Sequence, residues 1–119
     1  MTATKSAFEL HLEKLKVVYL SQLPEKLNSI ETDWNQLCSS WQAEIAVVLH
    51  RNVHSLIGTA GTFGFGELSR TARELEVMLK PLEGVSVDYK PNAELIDKVK
   101  TKIEQLININ KADASNIAR

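Results

Sequence analysis

One cysteine, Cys38, stands in the whole of the 119 residues. A single sulfur builds neither a disulfide within the chain nor a thiolate metal cluster. Cys38 lies in WNQLCSSW, without cationic neighbours, so it reads as a small hydrophobe and not as a reactive thiolate. An excess of charge of either sign is also missing: 14 Lys plus Arg against 15 Asp plus Glu leave a formal net charge of -1. That balance argues against nucleic acid or a membrane surface held by bulk charge. No apolar run approaches the ~20 residues that span a bilayer. The opening MTATKSAFELHLEK has no apolar stretch ahead of a small-residue cleavage site, so a cytoplasmic location is the expectation. Internal repeats, low-complexity tracts and convincing strand-like alternation are absent. So are a GxxxxGK[ST] nucleotide loop and an acidic metal cluster, and no enzymatic site, resident cofactor or metal is expected.

What the sequence does have is an ordinary globular balance, 44% hydrophobic and 24% charged, with apolar residues recurring at three and four. Phe8, Leu12, Leu15, Val18 and Tyr19 mark an opening helix to about Leu20. Ser21 is then a plausible N-cap, with Pro24 in the first turn of a stretch through Leu23, Leu27, Ile30 and Trp34 to about Leu37. Trp41 to Phe63 is the longest amphipathic candidate, and Gly64 and Gly66 punctuate its end and the next start. Glu67 to Leu79 sets Leu68, Ala72, Leu75 and Leu79 on one stripe before Pro81. GVSVDYKPN is a loop, and a last helix from near Asn92 carries Leu95, Ile96, Val99, Ile103, Leu106 and Ile107. Trp34 and Trp41 are expected to pack between helices. The expected fold is all-α: an antiparallel four-helix bundle with an additional N-terminal helix. It forms one domain over 1–119, with a helical cap at about 5–38, a bundle core at about 41–110 and a frayed tail at 111–119.

The segment from Trp41 to Phe63 is unusual on its outward side. At about 100° per residue, Ile45, Leu49, Asn52, Leu56 and Phe63 form a core stripe. His54 falls opposite it, among Val47, His50, Arg51, Ile57, Gly58 and Gly61. A solvated face ordinarily carries Lys and Glu, whereas this one carries apolar residues and two glycines. Glycine inside an exposed helix costs about 1 kcal/mol relative to alanine. The gain is a face stripped of side chains, where another surface can approach the backbone beside His54. An apolar patch around a titratable group suits transient docking. Neutral imidazole is a nucleophile near neutral pH, and a phosphoryl group held on its nitrogen stays reactive enough to be passed on.

The stretch from His54 to Glu76 resembles the signature of histidine-containing phosphotransfer (HPt) domains. The places of that signature hold His54, Leu56, Ile57, Gly58, Thr59, Ala60, Gly64, Leu68, Leu75 and Glu76. The motif covers about a quarter of the chain, and its combined spacing is far more specific than a lone HxxxG. The resemblance implies a phosphorelay intermediate. His54 would accept a phosphoryl group from a receiver-domain aspartate or a sensor histidine kinase and pass it to another response-regulator receiver. Glu76 matches the position that hydrogen-bonds and orients the imidazole, and Gly58 the one that keeps space open. Any Mg2+ would reside on the partner receiver domain. One position departs from the pattern: the family has Lys three residues after the histidine, and this chain has Ile57. Arg51 on the same face would supply part of the positive charge near the phosphoryl group, with Arg73 on the next helix the second candidate.

Blander readings accompany these. A lone surface histidine is ordinarily inert, and His11 is read so. His50 and His54 at i, i+4 have metal-ligand spacing without a third ligand, so His50 is read as a docking residue and no metal site is expected. Glu76 on its own would pass for a charged helix face. Val47 and Ile57 would be covered either by a partner or by the N-terminal helix. The Ile57 departure also motivates a second reading, an HPt-like module that docks on receivers or kinases without carrying phosphate. An accessible His54 is compatible with a monomer.

Overall fold

The computed structural model describes residues 6–117. It contains four α-helices, α1 (Ala7–Ser39), α2 (Ala43–Thr62), α3 (Gly66–Leu79) and α4 (Ala93–Ile117), and a 3-10 turn at Lys80–Leu82. There is no strand among the described residues, and no helix is long and apolar enough to cross a membrane. The termini of the expected cap and tail, at residues 5 and 118–119, lie outside the described residues.

The apolar periodicity becomes the core. Leu23, Leu27, Ile30, Trp34 and Leu37 of α1 are buried against Leu68, Ala72, Leu75 and Leu79 of α3 and Val99, Ile103 and Leu106 of α4 within one cluster. In α2 the buried residues are Leu49, Val53, Leu56 and Ala60. This corrects the expected stripe: Ile45, Asn52 and Phe63 are only half-buried, and Val53 and Ala60 take the central positions. The correction leaves His54 outward, because it follows Val53 by one residue and is turned about 100° from it.

The first two helical stretches are one helix, and the N-cap that the sequence offers at Ser21 is not used. α1 starts at Ser6, whose Oγ accepts the Glu9 backbone N–H at 3.1 Å, and runs without interruption through Pro24. Ser21 is not a cap; its hydroxyl donates to the Val18 carbonyl at 2.7 Å inside the helix. Proline has no N–H for the carbonyl four residues back, and this ordinarily breaks or kinks a helix. Here that carbonyl belongs to Leu20, and the buried Asn110 of α4 donates its side-chain N–H to it at 3.4 Å. No separate additional N-terminal helix exists among the described residues; its place is taken by the first part of α1. There Phe8, Leu15 and Val18 are exposed, and of the five opening apolar positions only Tyr19 belongs to the buried core.

The expected frayed tail is also corrected: α4 stays helical to Ile117, with Asp113, Ala114 and Ile117 half-buried. α4 opens at Asn92, whose Oδ1 accepts the Leu95 N–H at 2.8 Å. Tyr19 and Leu20 lie at the level of the α2 end and Asn110, and Trp41 lies at the level of Tyr89 just before α4. Trp41 meets both Tyr89 and Trp34 edge to face, with centroids 4.9 and 6.5 Å away. Both tryptophans are buried; Trp34 packs from α1 into the helical core as expected, whereas Trp41 sits in the link between α1 and α2.

Candidate functional site

One glycine-dependent turn sets the frame. α2 ends in a Schellman turn: the Phe65 N–H reaches the Ala60 carbonyl at 2.8 Å, the Gly64 N–H reaches Gly61 at 3.1 Å, and Gly64 takes φ 81°. The chain then reverses into α3. Ser69 opposes Ile57, its hydroxyl donating to the Ile57 carbonyl at 2.8 Å. One turn further back on α2, His54 meets Glu76 further along α3, so the two helices run in opposite directions. Tyr19 fixes α1 to the same region, with its hydroxyl 2.9 Å from Thr59 Oγ1. Burial pushes the Tyr19 phenol up, while the Thr59 hydrogen bond acts the other way.

His54 is the most open residue of the constellation, its side chain 72% exposed. Its Nδ1 lies 2.6 Å from Glu76 Oε2, and Glu76 is 23% exposed. A carboxylate only accepts, so the shared proton sits on Nδ1, and in the neutral ring the Nε2 lone pair is left free. The sequence placed these two residues together by motif alone; here the bond between them is direct.

His50, one turn earlier, stacks its ring at 13° to that of His54 with centroids 6.3 Å apart. Its Nε2 stands 3.8 Å from the same Glu76 oxygen and 3.2 Å from Glu83 Oε1. Glu83 follows the 3-10 turn and was not singled out from sequence; no motif spacing ties that loop to His50. Ser69 was missed for the same reason. No group of three or more His, Cys, Asp or Glu side chains among the described residues is arranged to hold a metal ion.

The remaining site residues divide by position. Arg51 and Arg73 are exposed, and neither forms an ion pair among the described residues. Ile57 is half-buried and packs against the core. A Cβ on Gly58 would meet no atom within 4 Å, so nothing inside the molecule requires glycine there. A Cβ on Gly61 would sit 3.5 Å from Ser69 Oγ, which turns this glycine toward α3. Val47 is 57% exposed. With His50 and Glu83 it lines an apolar cavity of about 440 Å³, whose other walls include Leu37, Trp41, Leu79 and Leu82. Cys38 is half-buried, and burial pushes its thiol up, away from thiolate chemistry.

No curated protein and no solved structure matches the chain. A family model does, the Hpt domain, over residues 14–109. That span takes in His54, Glu76 and all the elements that bring them together. The chain belongs to the Hpt domain family, and its role is phosphotransfer in two-component signalling.

Proposed function

We propose that this protein is a phosphorelay intermediate whose phosphoacceptor is His54. The observation that supports it most is the 2.6 Å contact between His54 Nδ1 and Glu76 on an otherwise open ring. Nε2 attacks the phosphorus of a receiver's aspartyl phosphate or of a kinase's phosphohistidine. The bond from phosphorus to the donor atom breaks as the bond to Nε2 forms. The ring keeps its Nδ1 proton and becomes cationic, and the Glu76 carboxylate stabilises that charge through the existing hydrogen bond. The reverse displacement by a second receiver's aspartate returns the ring to neutrality. A carrier of this kind needs no nucleotide site, and Mg2+ held by the partner receiver would neutralise the phosphoryl oxygens.

The open space over Gly58, the exposed Val47 and the half-buried His50 form the docking side of this reading. The exposed Arg51 and Arg73 are the cations we assign to the phosphoryl group, since Ile57 is apolar and packs against the core. We read the architecture as an antiparallel four-helix bundle acting as a cytoplasmic monomer. The decisive experiment incubates the protein with a phosphorylated receiver domain and follows labelled phosphate. The unmodified chain acquires an acid-labile, base-stable label, and His54→Gln acquires none; equal labelling of His54→Gln sinks the proposal. Ile57 in place of the family's Lys motivates a second reading, a docking module without phosphate. Measurable receiver binding without label from any cognate donor would select it.

A further inference from the structure

His54 has one hydrogen-bond partner, but that partner has neighbours of its own. A glutamate side chain has three rotatable bonds, and an exposed imidazole competes with water for its carboxylate. Something must keep Glu76 in the rotamer that accepts the Nδ1 proton. The Hpt pattern does not supply it: neither His50 nor Glu83 is among the motif positions.

We propose that His50 and Glu83 are a positioning pair for the phosphoacceptor site, with His50 Nε2 seated between the Glu76 and Glu83 carboxylates and holding Glu76 toward His54. The proposal rests on the reading of His54 as phosphoacceptor. Its geometry is specific. The same atom, Glu76 Oε2, is 2.6 Å from His54 Nδ1 and 3.8 Å from His50 Nε2. On its far side, His50 Nε2 is 3.2 Å from Glu83 Oε1. With its proton on Nε2, the His50 ring directs a positive N–H dipole, or its full charge when protonated, at two carboxylates that would otherwise repel. His50 is well placed for this. It is one helical turn from His54 on the same rigid helix, and its side chain is 32% exposed against 72% for His54. Glu83 is brought in by the 3-10 turn, where its backbone N–H donates to the Lys80 carbonyl at 3.2 Å. The chain of support therefore spans α2, α3 and the turn after it.

Packing alone is the competing account, since His50 also lines the apolar cavity. The test separates them with His50→Leu, His50→Gln and Glu83→Gln. Nitrogen-15 spectra of the His54 ring report which nitrogen bears the proton, and phosphotransfer is measured in parallel. His50→Leu shifts His54 from the Nδ1–H form toward a mixture of tautomers and slows phosphotransfer at saturating receiver by roughly tenfold, the lower end of the cost of losing a residue that orients a ligating histidine. His50→Gln, whose amide N–H stands in for Nε2–H, restores both readouts. Glu83→Gln, on the exposed side, moves the tautomer balance in the same direction by less. An unchanged His54 spectrum in His50→Leu overturns the proposal, as does a His50→Gln variant that behaves like His50→Leu. If no donor labels the unmodified chain while the tautomer still follows residue 50, the phosphotransfer reading fails and the positioning role stands.

Discussion

His54 and Glu76 are 22 residues apart in the chain and 2.6 Å apart in space. Their pairing was legible from sequence because the motif fixes both a histidine on one helix and an acid on the next, with a glycine turn between. The His50 and Glu83 contacts were not. Glu83 stands in a loop whose course depends on how α3 ends, and residue types alone do not show that course. Gly58 was legible as an anomaly, a glycine where helix propensity favours anything else. Its surroundings now give that anomaly a two-sided prediction. A Cβ there meets nothing within 4 Å, so Gly58→Ala stabilises the free protein by about 1 kcal/mol through helix propensity. The same methyl occupies the space offered to a receiver and weakens docking. Urea denaturation and a receiver titration on the same variant read the two effects. A more stable variant with undiminished affinity would mean that the partner does not approach the helix at this point.

At the level of elements, α3 and most of α4 followed their apolar stripes and stop signals closely. The α2 stripe was drawn through Asn52 because Ile45 and Phe63 framed it; burial chose Val53 and Ala60, and Ala60 is too small to stand out in a hydrophobic pattern. α1 misled for a different reason. Ser21 followed by Pro24 is a sound helix start when only neighbours in sequence are weighed. The compensation comes from Asn110, 90 residues away, on a helix that local reasoning treats separately. That contact also explains why an asparagine is buried at all. Asn110→Leu therefore costs about 1–3 kcal/mol when Pro24 is present, the range for a buried polar group left unpaired. In a Pro24→Ala background the new backbone N–H reaches the Leu20 carbonyl, and the Asn110 substitution costs less. A double-mutant cycle by urea unfolding measures the difference. Equal costs in the two backgrounds would show that Asn110 serves some purpose other than the carbonyl freed by proline.

The whole molecule is long and thin, 63 × 20 × 20 Å, because α1 and α4 run on past the turn that joins α2 to α3. α1 alone spans about 50 Å at 1.5 Å per residue. Its Cα radius of gyration is 16.6 Å, whereas a compact domain of this size has about 13.5 Å. As a monomer, the protein will scatter X-rays in solution with a radius near that larger value, increased only by its hydration layer. A markedly greater radius, with a doubled forward intensity, would identify an assembly instead. The elongation also divides the molecule optically. Trp34, Trp41 and Tyr89 sit together at the cavity end, while the overhang opposite contains Phe8 and no tryptophan. Intrinsic fluorescence is consequently a local reporter, sensitive to anything that enters the cavity beside His50 and nearly blind to melting of the first turns of α1. Only the far-ultraviolet helical signal registers both ends, and the interval between the two curves measures how far the overhang unravels before the bundle does.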